Sequence, residues 1–159
     1  MNKPPEQEYQ AIIAAPAFCL GVLCDDREIH KIDFLEARND LEPTNPLAVE
    51  AARQLRAWLS NADFAFGLPL RPSGTTFQRR VWAQIAAIPN HQTRTYGELA
   101  KALHSAPRAV GQACGANPFP LVVPCHRVIA AGGGLGGFAR HDGGFLLDVK
   151  RWLLAHESA

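Results

Sequence analysis

Apolar positions along the chain first recur every second residue and then, from about residue 45 onward, at helical spacing. Residues 11–15, 18–24 and 29–35 read as short strands. Phe18, Leu20 and Val22 share one face of the second, His30, Ile32 and Phe34 share one face of the third, and Asp25-Asp26-Arg27 supplies the turn between them. Three such strands predict a small antiparallel sheet. Asn45-Pro46 then gives an N-cap followed by proline at the first helical position, and Leu47, Ala51, Leu55, Trp58 and Leu59 form the stripe of a helix that covers the sheet. The Pro/Gly-rich stretch Gly67-Leu68-Pro69-Leu70-Arg71-Pro72-Ser73-Gly74 marks a boundary, which divides the chain into 1–72 and 73–159.

Beyond it, Phe77, Val81, Trp82, Ile85 and Ile88 make a second helical stripe that stops at Pro89. Thr95-Tyr96-Gly97-Glu98 has the spacing of a capping box and opens a helix with Leu99, Ala100 and Leu103 inward. His104-Ser105-Ala106-Pro107 breaks it, and Ala109, Val110, Ala113 and Cys114 belong to another short helix. Two short helices joined by a tight turn, with Arg108 at the front of the second, predict a helix-turn-helix.

With 47% hydrophobic and 19% charged residues the composition is that of a folded globular chain, which excludes disorder as the default. No run approaches the roughly 18 consecutive apolar residues of a membrane helix, so a soluble, cytoplasmic protein is expected. Cys19, Cys24, Cys114 and Cys125 lack a framework spacing, and reduced thiols are expected rather than disulfides. Cys19, Cys24 and His30 show no fourth ligand, so no metal and no cofactor is expected. The net charge of +1 conceals an asymmetry: residues 1–72 hold 7 Lys and Arg against 11 Asp and Glu, and residues 73–159 hold 9 against 4. The resulting −4 and +5 point the second half toward a polyanion.

Pro120-Leu121-Val122-Val123-Pro124 is an apolar, proline-bracketed run that reads as a buried extended segment ending at Cys125-His126-Arg127. A thiol works as a nucleophile through its thiolate, which calls for nearby positive charge or a base, and His126 and Arg127 offer both. In an extended chain His126 would face away from the sulfur and reach it only through a bend or a water. Taken alone, such a dipeptide more often marks a structural cysteine beside a surface His-Arg pair.

The longer string Pro124-Cys125-His126-Arg127-Val128-Ile129, with Gly115-Ala116-Asn117-Pro118-Phe119-Pro120 before it and Trp152-Leu153-Leu154-Ala155-His156-Glu157 after it, resembles the O6-alkylguanine-DNA alkyltransferases. Thr95-Tyr96-Gly97-Glu98-Leu99-Ala100 and Arg108-Ala109-Val110-Gly111 are similar to that family in type and order. The likeness is strong over roughly residues 75–157 and holds only in layout before them. It implies an α/β N-terminal domain followed by a mainly α, winged-helix-like C-terminal domain, and a single-turnover transfer of an alkyl group from O6-alkylguanine to Cys125 after the base is flipped. His126, Glu157 and a bridging water would draw off the thiol proton. Asn117 would brace the active-site loop, and Tyr96 would set its phenol against the base. Arg108 would take the place of the extruded base and Ala109 would follow it into the minor groove of a double-stranded DNA partner. Arg127 is expected at the DNA as well, and Pro120, Val128, Gly136 and Ala139 around the substrate. The working unit is expected to be a monomer.

Some positions depart from the family pattern. His91 stands where relatives usually carry glycine before Tyr96, Ala139 where some have serine, and Arg140-His141-Asp142-Gly143 reads as an insertion. Gly132-Gly133-Gly134-Leu135-Gly136-Gly137 lacks the lysine and following helix of a phosphate-binding loop and reads as a flexible closure over the base. A non-enzymatic binder of alkylated DNA is the alternative, but such alkyltransferase-like proteins carry tryptophan at the position that Cys125 holds here. An ordinary helix-turn-helix regulator would leave the Pro-Cys-His-Arg string without a reason.

Overall fold

The computed structural model describes residues 8–135 and 144–158. Strands β1 (Ala11–Ala14), β2 (Cys19–Cys24) and β3 (Ile29–Leu35) pair antiparallel in chain order. The expected alternation fails at one place. The register slips between Leu23 and Cys24, so that Cys24 faces Ile29. Ile29 is therefore fully buried, while His30 is half-buried and its Nε2 meets Asp25 at 3.0 Å.

Helix α1 (Pro46–Ser60) lies on this sheet. The Asn45 side chain accepts from the N–H groups of Leu47 and Ala48, and the buried alanines Ala48, Ala51 and Ala52 let the helix approach the strands closely. After it, Gly74 takes a positive φ of 87°, and a Cβ there would stand 2.6 Å from the Trp82 ring, so glycine is needed on both counts. Helix α2 (Thr76–Ala86) follows, closed by a full capping box between Thr75 and Gln78.

Strand β4 (Arg94–Thr95) leads into helix α3 (Tyr96–Ala102), and a turn at 103–106 joins this to helix α4 (Pro107–Gly115). The Thr95 hydroxyl oxygen accepts from Glu98 N–H at 3.0 Å as the sequence pattern implies, but the Glu98 carboxylate takes the Thr95 hydroxyl at 3.4 Å instead of closing the reciprocal box. Trp82 Nε1 donates to Ala113 O at 2.8 Å and locks α2 to α4. Strand β5 (Val128–Ile129) pairs parallel with β4, and helix α5 (Phe145–Ser158) ends the described chain.

The apolar core is continuous from Ala11 to Leu153. Polar ties add to it: Ile32 N–H donates to Pro118 O at 2.9 Å, and His156 Nε2 meets Trp58 O at 2.8 Å. Among the described residues no helix is long and apolar enough to cross a membrane. The turn before Tyr96 keeps a left-handed residue without glycine: His91 has φ 69°, with its Nε2 2.9 Å from Asp63 and its N–H on Asn90 Oδ1 at 3.0 Å.

Candidate active site

The run from Pro120 to Pro124 is a tight turn rather than the extended segment expected from its composition. Leu121 adopts φ 73°, a left-handed conformation unusual for a leucine, and its burial to 3% exposure holds it there. Val123 N–H bonds to Phe119 O at 2.8 Å. Residues Cys125–Arg127 then form one 3₁₀ turn, in which Arg127 N–H reaches Pro124 O at 3.0 Å. The opposition of Cys125 and His126 that an extended chain would impose is therefore absent.

Asn117 braces this loop from inside. Its Nδ2 donates to Val123 O at 2.9 Å and to Cys125 Sγ at 3.2 Å, and its Oδ1 accepts from Phe119 N–H at 2.9 Å. Asn117→Ala should therefore lose about 1–3 kcal/mol of stability, because partly buried backbone groups lose their partner. Chemical denaturation would measure this, and an unchanged midpoint would show that the loop holds itself.

Cys125 is buried at 5% exposure. The neighbouring Cys114 thiol and burial push its thiol well above the ordinary range, against the opposing pull of the Asn117 amide and the Lys150 ammonium. The resting sulfur is thus protonated, and action as a nucleophile would require a base to remove that proton.

His126, the next residue, shares the same turn. It is 1% exposed, and burial lowers its pKa against the opposing influence of Glu157, which leaves the ring neutral at pH 7. Burial alone would raise the Glu157 carboxyl, but hydrogen bonds and charge from His126 and Arg127 outweigh it and hold the group at about 2. His126 Nε2 lies 2.6 Å from Glu157 Oε1. An ionised carboxylate only accepts hydrogen bonds, so Nε2 carries the ring proton and Nδ1 keeps the basic lone pair. Trp58 of α1 packs edge-on against the ring at 6.1 Å and fixes its plane.

Arg127, expected at the DNA, is turned inward. Its Nε donates to both Glu157 oxygens at 3.1 and 2.9 Å, its Nη2 to Glu157 Oε2, and its Nη1 to Ile88 O at 2.7 Å. With its side chain 11% exposed, the guanidinium is committed to orienting Glu157.

Tyr96 opens α3, half-buried, with the Lys150 ammonium 5.8 Å from its ring centroid. Burial and the two sulfurs nearby raise its phenol above the ordinary range, so it remains a hydrogen-bond donor. Arg108 is exposed in the first turn of α4, and with Ala109 it lines a groove of about 760 Å³ shared with Thr75 and Phe77 of the α2 start. Pro120 is half-buried beside the sulfur, and Val128 is buried in β5. Gly136, Ala139 and the 140–143 insertion lie outside the described residues.

Two contributors escaped the sequence reading. Lys150 is fully buried, donates to Val128 O at 2.7 Å and Leu135 O at 2.6 Å, and burial brings its ammonium down to about 8. A signal existed: Leu146, Lys150, Leu153 and Glu157 recur at helical spacing, a stripe whose two charges mark a functional face. Cys114 beside Cys125 could not be foreseen from eleven residues of separation.

Comparison with known proteins matches residues 76–159 to the family described as 6-O-methylguanine DNA methyltransferase, DNA binding domain. A methylated-DNA–protein-cysteine methyltransferase of Methanosarcina acetivorans is 36% identical over 95% of this chain and 99% of its own length. The constitutive enzyme of that name from Bacillus subtilis is 38% identical over 77% of this chain and 74% of its own. Among solved structures, Mycobacterium tuberculosis OGT in complex with DNA superposes with a TM-score of 0.76 at 36% identity, over 92% of this chain and 91% of that one.

Proposed function

The chain belongs to the methylated-DNA–protein-cysteine methyltransferase family, and on that premise we propose that it repairs duplex DNA by moving the O6-alkyl group of guanine onto Cys125, once per molecule. The observation that supports this reading is the buried pair of His126 and Glu157, braced by Arg127, one residue from a buried Cys125 that Asn117 holds. His126 Nδ1 takes the thiol proton through a water. The thiolate then attacks the alkyl carbon, the C–O6 bond breaks with its electron pair left on the purine, and the proton returns to the guanine. Tyr96 donates a hydrogen bond toward the departing purine. Neither metal nor cofactor enters this scheme. Incubation with excess O6-methylguanine duplex should add one methyl, on the peptide holding Cys125. Many methyls per protein chain, or none, would end the reading.

The division at residue 72 gives an α/β unit and a winged-helix-like unit in which α3 and α4 act as a helix-turn-helix, working as a monomer. Helix α4 enters the minor groove with Ala109 against the backbone, Arg108 fills the space of the extruded base, and Pro120 and Val128 flank that base. Arg108→Ala should then slow repair of duplex DNA far more than reaction with free O6-benzylguanine, which needs no extrusion. Equal losses on both substrates would remove Arg108 from that role. Duplex affinity should vary little with sequence and fall steeply between about 50 and 200 mM salt, as the +5 of residues 73–159 releases counterions. Salt-independent binding would count against docking through this half.

A further inference from the structure

All four cysteines are free thiols, and they fall into two unlike pairs. Cys19 and Cys24 are buried at opposite ends of β2. At about 3.3 Å per residue an extended strand holds them roughly 16 Å apart, far beyond the reach of a disulfide. Cys114 and Cys125 instead line one cavity of about 230 Å³, and their thiols are close enough to share a hydrogen bond. Their settings differ. Cys125 is buried, with its sulfur held at 3.2 Å by the Asn117 amide. Cys114 is half-buried and sits in the last turn of α4, where a helix frays most easily.

One sulfur thus meets solvent on a segment that can turn, and the other waits in a fixed position beside it. The Lys150 ammonium acts on both sulfurs, and positive charge there favours whichever thiolate forms. Exchange with a disulfide from solution needs these parts: a thiol that the reagent can reach, and a second thiol placed to displace the reagent.

We propose that Cys114 and Cys125 form a modification site for small disulfides such as oxidised glutathione, closing into a reversible Cys114–Cys125 disulfide that withholds the acceptor sulfur. The Cys114 thiolate attacks one sulfur of the incoming disulfide, whose S–S bond breaks, and one half leaves as a thiolate that takes up the proton Cys114 gave away. Cys125 then attacks the Cys114 sulfur of the mixed disulfide, and the second half leaves as a thiol with the proton from Cys125. The protein loses two electrons and two protons, the incoming disulfide gains both, and a reducing dithiol returns them. Such a linkage is transient in a reducing compartment, in keeping with cysteines that are otherwise free.

The effect on repair rests on the alkyl-transfer reading above, whereas the linkage does not. The full chain is incubated with excess oxidised glutathione, quenched in acid, and followed by intact mass and peptide mapping without reductant. It should become lighter by two hydrogens with no glutathione attached, and the peptides holding Cys114 and Cys125 should be joined. Methyl transfer from O6-methylguanine duplex should be lost in proportion to the linked fraction and regained with dithiothreitol. Cys125→Ser should stop one step earlier, with glutathione on Cys114, and Cys114→Ser should show no loss of two hydrogens. An unchanged mass in the unmodified chain, glutathione that stays on Cys125 without closing onto Cys114, or a linkage to Cys19 or Cys24 overturns the proposal. If the untreated chain transfers methyl in those cases, the alkyl-transfer reading stands without it. Closure in a chain whose untreated form transfers no methyl upholds the linkage and overturns that reading.

Discussion

Cys125→Ser should bind methylated duplex as the unmodified protein does and accept no methyl. The substitution keeps the hydrogen bond that Asn117 Nδ2 now gives to Sγ at 3.2 Å, since a serine oxygen accepts in the same place, so the loop and the DNA face stay intact. What changes is the nucleophile. The site already holds a thiol protonated through burial and the adjacent Cys114, and a serine hydroxyl is a far weaker acid. A neutral His126, whose pKa burial has lowered, cannot ionise it. Mass spectrometry after incubation with excess O6-methylguanine duplex should find unmodified variant beside fully converted parent protein. Methyl incorporation at the parent's level would move the acceptor elsewhere, and Cys114 would be the first place to look.

The sheet, α1 and the α2 stripe were legible because each depends on local periodicity. Phe18, Leu20, Val22 and Leu55 are buried where their spacing puts them. The third strand misled because a bulge is a pairing event: nothing in residues 29–35 alone announces that Cys24 faces Ile29. The active-site loop misled for a similar reason. Its apolar residues suggested a strand, whereas Leu121 is held in a left-handed turn by burial and by the Asn117 bonds, which are tertiary causes. Arg127 shows the limit for charge. Its sign was readable, but only the fold decides whether a guanidinium meets phosphate or Glu157, thirty residues away. The proposed relay was implied by the family resemblance, and the tautomer it would require follows only from the contact of His126 with Glu157.

Glu157→Ala is expected to be the most destabilising single change in the site. The carboxylate, 3% exposed, is the shared partner of the His126 ring N–H and the Arg127 guanidinium. Its removal leaves a nearly buried cation with only the Ile88 carbonyl and an imidazole N–H with nothing to accept it. Removing one partner of a buried pair costs about 3–5 kcal/mol, a large share of the roughly 5–15 kcal/mol that holds a domain together. At about 2–4 °C per kcal/mol for a chain of this size, Tm should fall by roughly 6–20 °C. Glu157→Gln should fall less, since its amide oxygen can still accept from Arg127. It should nevertheless transfer alkyl groups more slowly, because the charge that favours the imidazolium is gone. The pH dependence carries a sign. The folded Glu157 carboxyl sits at about 2 against an ordinary 4.5, so its contribution is complete above pH 4.5 and drains away as the pH falls toward 2. The gap in stability between parent and Glu157→Ala should accordingly be widest near neutrality and narrow across that acid window. A gap below about 1 kcal/mol at pH 7, the scale of an exposed ion pair, would mean that the cluster orients His126 without holding the fold.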